Sequence, residues 1–204
     1  MFKDVPSPVD LRVMQDALLW EKSANFKRPV RPEFFEKLVK EVIAIRPKVR
    51  RVLELGSGPG FLAEYFLNQV QDITYVMLDF SPSMHKLARS RLSTLDIQPQ
   101  YIERSFKDLD WFIGLGQFDC ILTHQAVHEL RHKQHAALLH RQVLSILCPG
   151  GRYFISDHFC GENGQHNNEL YMTIEEHEQA LQHGGFTFIR QIMVKGGLIL
   201  YEAK

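Results

Sequence analysis

Three glycines follow an apolar block that has the composition of a buried strand. Gly56, Gly58 and Gly60 stand at alternate positions after residues 51–55. Glycine lets the backbone turn sharply and approach a ligand with no Cβ in between, and a helix that begins after the turn offers free N–H groups. A ligand is therefore expected against this turn. The spacing departs from the GxGxxG of a dinucleotide fingerprint, since Phe61 stands where the third glycine would fall, and no P-loop motif is present.

A carboxylate, Asp79, ends the next apolar block, 23 residues after Gly56. At the carboxyl end of a parallel strand, such a side chain faces the turn and can accept hydrogen bonds from both hydroxyls of a ribose. The alternative is that Asp79 caps the helix expected to begin at Pro82. Because Ser81 directly precedes that proline and is a good N-cap residue, the pattern favours ribose binding for Asp79.

Residues 128–132 read His-Glu-Leu-Arg-His and match the HExxH pattern of zinc proteases, in which two histidines one helical turn apart bind the metal. Such a helix would continue through the motif to a third ligand. In the extended pattern, glycine and histidine would stand at two later positions that here hold His135 and Leu138. The segment also follows a predicted strand directly. We therefore predict no metal site, and a zinc hydrolase is a disfavoured alternative.

Short apolar blocks alternate with longer helical patterns from about residue 50 onward, as in repeated βαβ units around a largely parallel sheet. Gly196 and Gly197 join the last two blocks, and a connection this short allows only antiparallel pairing. The sheet of this α/β fold is therefore expected to end with an antiparallel strand. Predicted strands cover residues 51–55, 73–79, 100–104, 118–123, 152–157, 187–194 and 198–202, and predicted helices cover about 60–70, 82–95, 132–147 and 173–183.

Residues 1–49 have a different pattern, with helices predicted at about 9–22 and 33–45. The connector at residues 27–32 contains two prolines and three cations, which predicts a stiff, non-helical link. We interpret residues 1–49 as an N-terminal helical cap that is part of the same domain. Residues 50–204 then form the α/β body.

The whole chain has 204 residues, with 24 basic and 24 acidic side chains and 45% hydrophobic residues. These proportions are typical of one soluble globular domain. A net charge of zero argues against a protein that binds mainly nucleic-acid phosphates or an anionic membrane. The apolar runs are too short for a membrane span, and no secretory leader pattern opens the chain, so a cytoplasmic location is expected.

The segment from about residue 50 to residue 202 resembles the class I S-adenosylmethionine-dependent methyltransferases. The resemblance rests on Leu-Glu-Leu-Gly-Ser-Gly-Pro-Gly at residues 53–60, on Asp79 with the following Ser-Pro-Ser-Met, on Phe-Asp at residues 118–119, and on Leu-Cys-Pro-Gly-Gly at residues 147–151. It implies a three-layer, Rossmann-like, seven-stranded and mostly parallel sheet. The implied strand order is 3-2-1-4-5-7-6 with strand 7 antiparallel, which agrees with the Gly-Gly hairpin.

The resemblance also implies which residues bind the cofactor, S-adenosylmethionine, whose product is S-adenosylhomocysteine. The glycine turn passes beneath its methionine part, with the glutamate of the first strand near its amino group. The carboxylate that ends the second strand binds the ribose. Phe80 and Met84, which follow that carboxylate in the chain, pack against the adenine, and the end of the fourth strand borders the methylsulfonium. The implied residues are Glu54, Gly56, Ser57, Gly58, Gly60, Asp79, Phe80, Met84, Thr123 and His124.

Two places in the implied cofactor site leave alternatives open. At the end of the third strand, Ser105 and Phe106 stand where an acidic residue and a small residue often contact the adenine, and Asp108 is a competing candidate. Arg28 and Arg31 resemble the arginine-proline entry segment of some small methyltransferases, where an arginine holds the cofactor carboxylate. Solvated surface charge is the equally weighted alternative for both arginines.

Methyl transfer from a sulfonium is an in-line displacement that requires alignment and exclusion of water, and a base only for a hydroxyl or a protonated amine. His128, with His158 and Asp157 behind it, is the favoured base or acceptor-positioning group. The alternative for His128 is a satisfied loop histidine. The acceptor is not identified, and the short neutral chain favours a small molecule. A cofactor-binding protein without catalysis and a nicotinamide oxidoreductase are the further alternatives, and the glycine spacing disfavours the second.

Overall fold

One seven-stranded sheet runs through residues 3–204, the part of the chain that this computed structural model describes. The strands are β1 (Arg51–Leu55), β2 (Thr74–Asp79), β3 (Gln100–Glu103), β4 (Phe118–His124), β5 (Leu147–His158), β6 (Ile189–Lys195) and β7 (Leu198–Ala203). They lie in the order β3-β2-β1-β4-β5-β7-β6. Strands β1 to β5 pair in parallel, whereas β7 is antiparallel to both β5 and β6. The predicted fold class and strand order are confirmed.

Helices cover both faces of the sheet. They are α1 (Met14–Lys27), α2 (Arg31–Ala44), α3 (Phe61–Leu67), α4 (Pro82–Leu92), α5 (Ala136–Ser145) and α6 (Ile174–His183). Phe34 of α2, Phe66 of α3 and Leu92 of α4 pack on one face, and Val143 of α5 and Leu181 of α6 pack on the other. Because the central strands are buried on both faces, they read as continuous apolar runs rather than as alternating patterns. Within residues 3–204, no helix combines the length and apolar character needed to cross a membrane.

The hairpin between β6 and β7 has the predicted geometry. Lys195 pairs with Leu198, and the two residues between them, Gly196 and Gly197, have φ values of 56° and 76°. Positive φ at both central positions matches the twist of the flanking strands and costs glycine little. The antiparallel end of the sheet therefore follows directly from this glycine pair.

Strand β5 begins earlier than the predicted residues 152–157. Leu147 already pairs with Phe118, and pairing resumes where Arg152 meets Cys120. The intervening residues bulge away from β4, with Gly150 at a φ of 79°. The glycines therefore interrupt the ladder inside the strand instead of preceding it.

The predicted connector at residues 27–32 is wrong in its extent. Helix α1 continues through Lys27 and α2 begins at Arg31, so that only residues 28–30 separate them. Pro32 lies in the first turn of α2, where a missing N–H breaks no helical hydrogen bond. The proline therefore marks where the second helix begins, and the arginine before it is carried into the protein interior.

Candidate active site

The glycine turn is pinned against the end of β2. The backbone N–H groups of Gly56 and Ser57 donate to the carbonyl oxygen of Leu78 at 2.8 and 3.2 Å. A Cβ at Gly56 would lie 2.4 Å from the Cβ of Ala126, whereas a Cβ at Gly58 would have no neighbour within 4 Å. The first glycine is therefore required by packing against the chain itself, while Gly58 faces open space.

Asp79 ends β2 directly beside this turn. One carboxylate oxygen, Oδ2, accepts the N–H of Gly58 at 2.8 Å, and the other, Oδ1, accepts the N–H of Ser81 at 2.9 Å. Burial raises the pKa of Asp79 to about 6, and the two N–H donors oppose that shift. The N-cap of α4 is Ser81, whose Oγ accepts the N–H of Met84 at 3.1 Å. Asp79 is thus not the cap, and its remaining acceptor sites are available to a ligand.

A cavity opens in front of Gly58 and Asp79 at the carboxyl ends of the central strands, and we refer to it as the cleft. It is the place where open α/β sheets bind their ligands. The cap contributes α1 and the start of α2 to its wall. The predicted site residues that line the cleft are Arg28, Glu54, Gly56, Ser57, Gly58, Asp79, Phe80, Met84, Phe106, His124, His128 and His158.

Four predicted site residues lie outside the cleft wall. Gly60 is the N-cap of α3 and faces Ala88 of α4. Ser105 lines a second cavity, which adjoins the cleft through Phe80 and Phe106. Thr123 is buried within β4, and Asp157 lies beneath His128. The competing candidate Asp108 is exposed and lines neither cavity. The set of predicted residues that line the cleft is therefore smaller than the full predicted set.

All the other predicted cofactor-binding and catalytic residues line the cleft. They lie at the ends of four neighbouring strands, β2, β1, β4 and β5, in the segments that follow the strands, and in the cap. Trp20 of α1 and Arg31 of α2, the second of the two entry-segment arginines, also line the cleft.

Arg31 is the buried cation of the cleft. Its side chain is 5% exposed, and its guanidinium lies over the rings of Trp20, Phe35 and Phe61 at 5.6, 5.6 and 5.1 Å from their centroids. Its Nη1 donates to Asn25 Oδ1 at 3.5 Å, and within residues 3–204 its buried Nε has no hydrogen-bond partner. A buried donor without a partner is costly, so this nitrogen is suited to an anionic ligand.

Glu54 of β1 is the buried carboxylate that lines the cleft near Arg31. The hydroxyl of Tyr75 donates to its Oε2 at 2.8 Å. Burial raises the pKa of Glu54 to about 8, and the charge of Arg31 opposes this shift. Burial lowers the pKa of Arg31 to about 10, and the charge of Glu54 opposes that shift. From the sequence alone, Arg31 is one of two entry-segment arginines, and burial is not predicted for it. The signal that distinguishes it is its place one turn before the buried Phe34 and Phe35 of α2.

His128 and Asp157 form a buried pair at the other end of the cleft. Asp157 belongs to β5, and its Oδ1 lies 2.6 Å from Nδ1 of His128 while its Oδ2 accepts the backbone N–H of His128 at 2.9 Å. Burial alone would lower the pKa of His128, but Asp157 and Glu129 outweigh it and raise the pKa to about 10. Burial would likewise raise the pKa of Asp157, yet the imidazolium holds it below its ordinary value. The pair is therefore an imidazolium and a carboxylate at neutral pH.

His158 and Tyr171 pack around this pair. Their rings lie 5.1 and 5.5 Å from the ring of His128, and 5.6 Å from each other. Burial and the charge of His128 lower the pKa of His158 to about 3. The amide of Gln125 donates to Nε2 of His158 at 3.0 Å, which fits a neutral ring. One histidine of the cluster is thus charged and its neighbour is neutral.

His124 ends β4 at the floor of the cleft. Its ring contacts Phe35 edge-on at 4.9 Å, and burial holds its pKa well below the ordinary value. The imidazole is therefore neutral. It gives the floor of the cleft a polar group without a charge.

The HExxH residues do not form a continuous α-helix. Val127–Leu130 is one 3-10 turn, Arg131 has a left-handed φ of 68°, and a second 3-10 turn begins at Lys133. The break separates His128 from His132, so the two rings are not one α-helical turn apart. Within residues 3–204, no group of three or more His, Cys, Asp or Glu side chains is arranged to hold a metal ion.

Residues 4–12, which we call the N-terminal strap, lie along the second cavity and the edge of the cleft. Arg131 donates through Nε to the carbonyl oxygen of Val5 at 2.9 Å and through Nη2 to that of Pro6 at 2.7 Å. Ser83 Oγ donates to the carbonyl oxygen of Arg12 at 2.6 Å. These contacts use main-chain acceptors, which any residue provides, so no residue type in the strap indicates them.

Two comparisons of sequence give related proteins. Residues 52–151 match the sequence profile of a family described as a methyltransferase domain. A malonyl-[acyl-carrier protein] O-methyltransferase of Magnetococcus marinus is 31% identical over 111 residues, which are 54% of this chain and 39% of that protein. The chain spans between 4% and 39% of the length of the curated relatives it matches.

Solved structures show the same fold at low identity. An S-adenosylmethionine-dependent methyltransferase from Clostridium acetobutylicum has a TM-score of 0.71 at 13% identity, and the match covers 93% of this chain and 97% of that one. PigF, solved with SAH, has a TM-score of 0.75 at 16% identity, over 95% of this chain and 60% of that one. At these identities, the structural similarity establishes a shared fold only.

Proposed function

We propose that this chain transfers a methyl group from S-adenosylmethionine to an O, N or S atom of a small-molecule acceptor. Residues 52–151 match the methyltransferase-domain family, and the chain has the Rossmann-like fold of S-adenosylmethionine-dependent methyltransferases. S-adenosylhomocysteine is the second product. The cofactor supplies an electrophilic methyl group on its sulfonium. The residues of the chain bind and align the two substrates and exclude water.

One observation carries this proposal: Asp79 lies beside a glycine that faces open space. Oδ2 of Asp79 accepts the N–H of Gly58, and a Cβ at Gly58 would meet nothing within 4 Å. A carboxylate with free acceptor sites next to an open backbone suits a ribose that lies over the turn. The same turn lacks the third glycine of a dinucleotide site, which supports an adenosyl cofactor over NAD.

The rest of the cleft fits the amino-acid and adenine parts of such a cofactor. The unpartnered Nε of Arg31 suits the cofactor carboxylate, and Glu54 suits its amino group. Phe80 and Phe106 border both cavities and suit the adenine between them, with Met84 beside it and Ser105 at the edge. In this assignment, Arg31 rather than Arg28 takes the role that the sequence leaves open between the two arginines.

His128 is proposed as the group that positions the acceptor. Its Nδ1 is committed to Asp157, and the raised pKa of about 10 leaves the ring protonated at neutral pH. A protonated ring donates a hydrogen bond and cannot accept a proton. His158, which is neutral, and His124 complete the polar surface that faces the acceptor.

The experiment that tests the proposal is calorimetric titration with S-adenosylmethionine, S-adenosylhomocysteine and NADH, followed by an assay with radiolabelled S-adenosylmethionine and a panel of small acceptors. We expect both sulfur cofactors to bind, NADH not to bind, and label to appear in an acceptor. Binding without transfer to any acceptor would leave a cofactor-binding protein without catalysis. Binding of NADH alone would contradict the cofactor assignment.

A further inference from the structure

Two cations at the mouth of the cleft have no acidic partner. Lys27 ends α1 and Arg28 follows it, and both line the cleft. Arg28 donates through Nη1 to the carbonyl oxygen of Lys27 at 2.8 Å. Among residues 3–204, neither side chain forms an ion pair with a carboxylate. Positive charge at this point is therefore not balanced by the chain.

Arg28 lies at the end of the cleft where His128 and His158 are found. Burial is the main cause that lowers the pKa of His158, and the charge of Arg28 adds to it. Burial raises the pKa of Tyr171, and the charge of Arg28 opposes that shift. The guanidinium is thus close enough to act on both rings, and it is half-buried rather than free in solvent.

The acidic groups at this end are already used. Asp157 accepts hydrogen bonds from the backbone N–H groups of His128 and His158, at 2.9 and 2.7 Å, and pairs with the His128 ring. Glu129 lies 3.4 Å from Nε2 of His128 and 3.3 Å from Nη1 of Arg131. Counting His128 as charged, its two acidic neighbours are balanced by His128 and Arg131, so Lys27 and Arg28 remain in excess.

On the basis of the proposed function, we propose that the methyl acceptor is a carboxylate, held at the mouth of the cleft by Arg28 and Lys27 beside the ring of His128. Arginine and carboxylate match in charge and in the geometry of two parallel hydrogen bonds. An uncharged hydroxyl would leave both cations without a partner. This assignment gives Arg28 a role in acceptor binding and leaves Arg31 for the cofactor.

A carboxylate also agrees with the chemistry that the histidines allow. One of its oxygens forms the new bond to the methyl carbon with its own lone pair, the carbon–sulfur bond breaks, and its electron pair stays on sulfur. No proton is released, so no general base is needed. The protonated His128 cannot take up the proton that a hydroxyl acceptor must lose, whereas a carboxylate acceptor has no proton to lose.

The test compares matched acceptors that differ only in the reacting group. The full chain is incubated near neutral pH with tritiated S-adenosylmethionine and with octanoate, 1-octanol, octylamine, benzoate, benzyl alcohol or benzylamine. A methyl ester releases volatile tritiated methanol in base, whereas a methyl ether or a methylamine does not. We expect methanol release from a carboxylate, with kcat/KM at least about tenfold above that of the matched alcohol and amine, since a charged hydrogen bond contributes roughly 1.5–3 kcal/mol.

Variants separate acceptor binding from cofactor binding. Arg28→Gln is expected to raise KM for the carboxylate by about tenfold or more while changing the affinity for S-adenosylhomocysteine by less than about twofold. Arg28→Lys keeps the charge and should recover part of the loss. Lys48→Ala, which removes an exposed cation that pairs with Asp72, is the matched control and should change neither value.

Three results would overturn the carboxylate assignment. They are faster transfer to an alcohol or an amine than to its matched carboxylate, no transfer to either carboxylate, and a carboxylate KM that Arg28→Gln leaves unchanged. If any of these results occurs while S-adenosylhomocysteine still binds, the carboxylate assignment fails and the proposed methyltransferase function is not affected. If S-adenosylhomocysteine does not bind to the wild-type chain, the proposed function itself fails.

Discussion

Nδ1 of His128 lies 2.6 Å from Oδ1 of Asp157, within a pair that is almost fully buried. The two residues belong to different elements, since His128 lies in the 3-10 turn after β4 and Asp157 lies near the end of β5. The contact therefore ties the loop that lines the cleft to a central strand. It also fixes the charge of the His128 ring, which is proposed to position the acceptor.

Replacement of Asp157 by Asn is expected to destabilise the chain and to neutralise His128. Breaking a buried ion pair by removing one partner costs about 3 kcal/mol. Urea unfolding measures this loss, and NMR of the histidine rings follows the pKa of His128. Asp72→Asn removes an exposed partner of Lys48 and serves as the control, with a loss below about 1 kcal/mol. Equal losses in the two variants would contradict the buried pair.

The stabilising effect of the pair should depend on pH in a defined direction. The pKa of His128 is raised from 6.5 to about 10 in the folded chain, so its contribution is complete below 6.5 and is lost as the pH rises toward 10. The pKa of Asp157 is lowered from 3.8, so its contribution is present above that value and is lost in acid. The difference in unfolding free energy between wild type and Asp157→Asn is therefore expected to be largest between these two ordinary values. A difference that does not change with pH would argue against the charged pair.

Gly58→Ala is expected to weaken cofactor binding more than it weakens the fold. The φ of Gly58 is 52°, where an alanine costs about 1–2 kcal/mol, and its new Cβ would enter the space proposed for the cofactor. Gly114→Ala is the matched control, because Gly114 also has a positive φ and no neighbour within 4 Å of a built Cβ. We expect similar losses of unfolding free energy for both variants. Only Gly58→Ala should lower the affinity for S-adenosylhomocysteine, by about tenfold or more, as calorimetry would show.

Loosening the N-terminal strap is expected to speed release of the cofactor product. Ser83→Ala removes the hydrogen bond to the carbonyl oxygen of Arg12, and Arg131→Ala removes those to Val5 and Pro6. Loss of about 1 kcal/mol corresponds to a dissociation rate of S-adenosylhomocysteine that is roughly fivefold higher. Stopped-flow fluorescence measures this rate.

Arg51→Ala is the control for the strap variants. Arg51 also donates to two carbonyl oxygens, those of Gln117 and Leu115, but it lies at the amino end of β1. Its loss should leave the dissociation rate unchanged. An equal rate in wild type and in both strap variants would show that the strap does not retain the product.

The sheet could be predicted because its signals are local. Buried parallel strands appear as apolar blocks, Gly196 and Gly197 require a hairpin, and the glycine turn after β1 has residue types that few other conformations need. The resemblance to a known family then placed these pieces in order. Asp79 could be assigned to the same edge of the sheet because strand ends of a parallel sheet meet there.

The arrangement of the cap and of the strap could not be predicted in this way. Whether Arg31 is buried depends on where α2 begins, and prolines are compatible with both a connector and a first helical turn. The strap binds through main-chain carbonyls such as those of Val5 and Pro6. Because every residue has such a carbonyl, the residue types of the strap do not indicate these contacts. The contact of His128 with Asp157 depends on a 3-10 turn that no periodic pattern indicates.

A nucleoside held by Asp79 is the central feature of the proposed site, and the dissociation constant of S-adenosylhomocysteine tests it directly. Calorimetry on wild type, Asp79→Ala and Asp108→Ala would compare the buried carboxylate with the exposed one, and circular dichroism would verify that each variant is folded. We predict that Asp79→Ala weakens binding at least about tenfold, whereas Asp108→Ala changes it by less than about twofold. Unchanged binding by a folded Asp79→Ala variant, or an equal loss in Asp108→Ala, would contradict the account.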